Sequence, residues 1–96
     1  MPDVLAAARA EALFVSSVQS SETPPDGVVR RAIADAFARL GSRGCAACVA
    51  GEFGDHPEVA VARMRWAIAT VNAVYARHRP DPRPRHLALT GASCAR

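Results

Sequence analysis

The chain has 96 residues, half of them apolar, with twelve basic side chains against nine acidic ones and a net charge of +3. That length makes one domain and excludes the large buried core of a multi-layer fold. No stretch approaches the ~20 consecutive apolar residues of a membrane span.

All twelve basic residues are Arg, and only five residues are aromatic. Ala dominates the apolar set, so the core is expected to be thin, its helices close together, and pairing with a second subunit is expected. The charge is uneven. Residues 1–58 carry five Arg against eight acids, a net of −3, and residues 59–96 carry seven Arg against Asp81, a net of +6. Such polarity suits a polyanion partner, or a second copy paired acidic end to basic end. A secretory leader is not expected, because no basic n-region is present and Glu11 interrupts the only candidate apolar run. Three Cys with no extracellular cue point to reduced thiols and a cytoplasmic location.

In chain order, residues 3–19 read as a first helix, capped by Asp3, with Leu5, Ala8, Ala12 and Val15 on one stripe. Ser16 and Ser17 weaken its end, and residues 20–22 form a linker. Thr23 is placed as an N-cap with Pro24 at the first helical position. The second helix runs from there to Leu40, turning Val29, Ile33, Ala36, Phe37 and Leu40 inward. Gly41 is placed to end it in a left-handed cap. After a turn at 42–44, a third helix covers 44–53. Its Cys45, Cys48, Val49 and Phe53 share a face, and Gly54 closes it.

A tight turn at Phe53-Gly54-Asp55-His56-Pro57 leads into a fourth helix, about 57–78. There Ala60, Met64, Ala67, Val71 and Val74 make a heptad-like seam. Val61, Ile68 and Tyr75 flank it on one side, and Val59, Trp66 and Ala73 lie on another. A helix apolar around most of its girth must be covered on more than one side. Met64, Trp66, Ile68, Val71, Val74 and Tyr75 are therefore the expected partner interface. The expected fold is all-α: a four-helix single domain over 1–79 with a long C-terminal fourth helix. Residues 80–96, with three Pro in their first five positions, are expected to be a flexible basic tail.

The hairpin between the third and fourth helices carries the sharpest functional signal. A DNA-binding helix-turn-helix needs a small residue where its helices cross, a Gly in the turn and an apolar residue packing back. Ala50, Gly54 and Ala60 fall at that spacing. The fragment VAGEFGDHPEVAVARM resembles the helix-turn-helix segments of bacterial regulators over about twenty residues. That resemblance implies base contacts from His56, Glu58, Val61, Ala62 and Arg65, with Arg63 toward phosphate. Arg77 and Arg79 begin an Arg run suited to non-specific phosphate contact. Two features depart from the pattern: Asp55 follows the turn Gly where an apolar residue is usual, and Asp55 and Glu58 would repel phosphates. The wider pattern, from LFVSSVQ to RMRWA, also resembles a group of short actinobacterial proteins of unassigned function; this implies a small helical domain and no activity.

Cys45 and Cys48 form C-x-x-C without the preceding strand of a thioredoxin-like site. A zinc site would need two further ligands, and the apolar neighbours Val49 and Phe53 make core packing the better account. No metal or other cofactor is expected, and no catalytic residue: no nucleophile motif is present, and His56, Asp55 and Glu58 suit a helix N-terminus. The sequence thus points to a small non-enzymatic regulatory or interaction protein, a homodimer, with DNA contact through 45–67 as its sharper form. The alternative is a protein-binding adaptor that associates through the first and fourth helices and leaves DNA alone.

Overall fold

The computed structural model describes residues 4–77. Every regular element among them is a helix: α1 (Val4–Val15), α2 (Asp26–Asp55) and α3 (Pro57–Arg77). The all-α expectation holds, but the helices are three rather than four. The segments expected at 24–40 and 44–53 belong to one element, α2. Gly41 breaks it with φ 69° and ψ 170°, and helix resumes at the next residue, so no separate turn forms at 42–44. That backbone region is open essentially to glycine alone. The break falls where the sequence places it, in an extended positive-φ conformation instead of a helical left-handed cap. The tail expected at 80–96 lies outside the described residues.

α1 stops at Val15, four residues earlier than expected. The Ser16 hydroxyl donates to the Leu13 carbonyl at 2.7 Å and accepts from the Val18 N–H at 3.3 Å. A serine that bonds nearby backbone offers the chain an alternative to the next helical turn. α2 begins two residues later than the Thr23 cap implies. Pro25 occupies the cap position without a side-chain bond, and its carbonyl takes the N–H groups of Val28 and Val29. Between α2 and α3 only His56 is non-helical. Its N–H bonds the Glu52 carbonyl at 2.7 Å, and its carbonyl accepts from the Ala60 N–H at 2.9 Å. Gly54 stays helical, and Pro57 starts α3 where a missing N–H costs nothing.

The core takes one stripe from each element. Leu13, Val29, Cys45, Val71 and Val74 are its largest fully buried side chains, and Ala10, Ala12, Ala36, Ala60 and Ala67 are buried with them. The expected seam of α3 is largely confirmed: Ala60, Ala67, Val71 and Val74 are buried, and Met64 packs against them. The stripe expected on α1 is displaced only in part. Ala12 is buried as expected, together with Ala10, Leu13 and Phe14, and Val15 packs against them, whereas Leu5 is about half exposed. α1 lies against both other helices. Midway along α1, the Arg9 guanidinium sits 3.9 Å from the centroid of the Tyr75 ring, a cation–π contact. Two residues farther along α3, Arg77 makes a bidentate pair with Asp26 at 2.6 and 2.7 Å, tying the last turn of α3 to the first turn of α2. No helix among the described residues is long and apolar enough to cross a membrane.

Candidate functional site

The last turn of α1 contains no basic residue to meet its final carbonyls. A helix C-terminus leaves up to four carbonyls unsatisfied and carries partial negative charge. Arg63 of α3 supplies what is missing. Its Nε donates to the Phe14 carbonyl at 2.7 Å, and its Nη2 reaches the carbonyls of Val18 at 2.9 Å, Ser16 at 3.0 Å and Leu13 at 3.4 Å. The same guanidinium lies 4.9 Å from the Trp66 ring centroid and 5.9 Å from that of Phe14. Partial burial moves its pKa below the ordinary arginine value. Arg63, expected to face phosphate, is therefore engaged inside the fold.

Above this junction a groove of about 570 Å³ opens where all three helices converge. Phe14 and Val15 of α1, Leu40 before the α2 break, Cys48 and Gly51 after it, and Val59 of α3 form its walls. Two of these are large apolar groups left in water: Val59 is 66% exposed and Leu40 37%. Phe14 also stacks on Phe53, with ring centroids 6.1 Å apart. Glu52 and Asp55 add carboxylates to the lining and Arg39 a cation. A second hollow of about 800 Å³ lies between the α1–α2 connection and the first part of α2, with Ser16, Val18, Pro25 and Arg31 among its walls.

The residues expected to read DNA divide. His56, Glu58, Val61, Ala62 and Arg65 are exposed at the turn and on the adjoining face of α3. Arg63 is occupied as described, Arg77 is bonded to Asp26, and Arg79 lies outside the described residues. Three carboxylates, Glu52, Asp55 and Glu58, crowd the turn, all exposed. The expected partner interface does not survive as one surface either. Val71 and Val74 are 2% exposed in the chain's own core, because α1 and α2 already cover that side of α3. Met64, Trp66 and Tyr75 are half-buried against the same core, and only Ile68, at 47%, is open.

The two cysteines also separate. Cys45 is fully buried, with its Sγ 3.9 Å from the Ala36 carbonyl. Burial pushes its thiol pKa up, helped by Cys48 and Glu11 and opposed by Arg39. Cys48 is exposed and unbonded to Cys45, a correction to the expectation that both thiols pack in the core. Among the described residues no three His, Cys, Asp or Glu side chains gather as a metal site.

Sequence reasoning missed the Arg63 junction and the groove. The one available signal was α1 itself, a helix ending in Leu-Phe-Val-Ser with no cation for its carbonyls. No family model matches this chain, and neither a curated protein nor a solved structure matches it.

Proposed function

We propose that the protein is a small helical interaction module, regulatory in role, that holds an apolar segment of a partner protein in the groove where its three helices meet. The observation that carries this reading is the exposure of Val59 and Leu40 on the walls of a hollow that Phe14 and Val15 also line. Burying a fully exposed aliphatic side chain of this size is worth about 1.5–3 kcal/mol; covering what remains exposed of these two gives part of that each, which favours an occupant. An amphipathic helix laid into an apolar groove is a recurring way of using such a surface.

Gly51 provides the test. A Cβ built there meets nothing within 4 Å, so Gly51→Leu fills the groove and leaves the core alone. A partner captured by the wild-type chain and reconstituted as a purified pair should be lost with Gly51→Leu and with Val59→Asp, at unchanged helical content. Equal binding by all three proteins overturns the reading.

DNA contact is the second reading, kept because His56, Val61, Ala62 and Arg65 share one exposed surface at the turn. The three carboxylates around that turn count against it, since phosphate contact dominates DNA affinity. Retention on duplex DNA that falls steeply with salt and drops with Arg65→Ala would support it. No retention at low salt ends it.

A further inference from the structure

The outward face of α3 is unlike its buried face. At about 100° per residue, Glu58, Ala62, Arg65 and Ala69 project within about 60° of one another, directly away from the buried Ala60, Ala67, Val71 and Val74. All four are exposed, and beside them Val61 and Ile68 are 39% and 47% exposed. Glu58 and Arg65 stand two helical turns apart, about 10 Å along the axis, too far to pair with each other. Neither has an ion-pair partner among the described residues.

We infer that this face binds a second copy of the chain, the two α3 helices crossing antiparallel about a twofold axis between Val61 and Ala62. A twofold interface must be self-complementary, and this one is. With the axis at that point, Glu58 of each chain faces Arg65 of the other, giving two equivalent ion pairs. Ala62 at the crossing lets the backbones approach closely, and Val61 of one chain covers Val61 and Ala62 of the other. The expected homodimer is thereby moved from the Val71–Val74 side of the helix, which α1 and α2 occupy, to its opposite side. The inference is independent of the groove, whose α3 wall is Val59, Ala60 and Arg63, on a different flank. It also takes up most of the surface that the DNA reading would use.

The test is sedimentation of the full-length chain over about 1–300 µM, bracketing micromolar dissociation, with charge swaps at both positions. A reversible dimer is expected. Glu58→Arg alone and Arg65→Glu alone should each weaken it at least about tenfold, because like charges then meet at both symmetric contacts. The double swap should restore it to near the wild-type constant. Both side chains are exposed, so the variants should still fold, Glu58→Arg with a slightly lower melting temperature because it puts a cation in the first turn of α3. If one of them does not fold, oxidation of Ala62→Cys in a Cys48→Ser, Cys94→Ser background gives the same answer, since residues beside the axis come within disulfide range. A chain that stays monomeric at about 300 µM, a dimer indifferent to both single swaps, or an Ala62→Cys protein that does not cross-link overturns the inference.

Discussion

The Arg63 guanidinium and the Phe14 carbonyl lie 2.7 Å apart across a separation of 49 residues. This is the junction on which the end of α1 depends, since Ser16, Val18 and Leu13 turn their carbonyls to the same side chain. Removing the donor strands several partly buried acceptors. Hydrogen bonds to charged groups are worth about 1.5–3 kcal/mol each, and the four share one cation, so Arg63→Ala should cost about 2–4 kcal/mol in chemical denaturation. Arg63→Lys keeps the charge but loses the fork that spans several carbonyls, and should fall between the two. A loss under about 0.5 kcal/mol, the range of ordinary surface substitutions, would show that the junction is not structural.

Two glycines in α2 should respond oppositely to alanine. Gly41 sits at φ 69° with open space around it, so Gly41→Ala meets no clash and costs only backbone strain, about 1–3 kcal/mol. Gly51 is helical and equally unobstructed, so Gly51→Ala should stabilise by about 0.5–1 kcal/mol. Thermal melts of the pair check both signs together.

Val71→Asp separates a core role from an interface role. In the structure Val71 is 2% exposed, and a buried unpaired carboxylate is among the most destabilising single changes. The variant should lose its cooperative melt at any protein concentration. A variant that keeps a wild-type melt and loses only self-association would return Val71 to the interface expected from the sequence.

The buried thiol sets an alkaline limit. Burial raises the Cys45 pKa in the folded chain above its ordinary value of 9.0. Below that value the thiol is neutral in both states and does not affect the balance. As the pH rises past it, the unfolded chain sheds the proton first, so stability falls with pH. Cys45→Ala should flatten the decline above about pH 9 while lowering stability at neutral pH through lost packing. In the native protein, alkylation mapped by mass spectrometry should mark Cys48 well before Cys45.

What could be read from the sequence was what short-range chemistry controls. Pro57 fixed the start of α3, Gly41 the break in α2, and the spacing of Ala60, Ala67, Val71 and Val74 the buried side of α3. What could not be read depends on residues distant in the chain. Arg63 looks like any surface arginine until the end of α1 arrives beside it. Cys48 shares a helical face with Cys45 on paper, yet it borders the groove. Val71 and Val74 looked like an interface because nothing local says that α1 lies over them. The turn misled for a different reason: a Gly-Asp-His-Pro run suggests a turn of several residues, while His56 alone completes the reversal, its N–H donating to the Glu52 carbonyl and its carbonyl accepting from the Ala60 N–H.

Gly41 has a reach beyond its own strain. Leu40 stands on one side of it and Cys48, Gly51 and Glu52 on the other, and all of them wall the same hollow. The shape of the hollow is thus set at a point outside its walls, by an angle between two rods. If the hollow holds a partner as proposed, a change there that straightens the rods would abolish binding while every lining side chain stayed in place, and a survey of substitutions confined to the cleft would overlook the position on which the cleft depends.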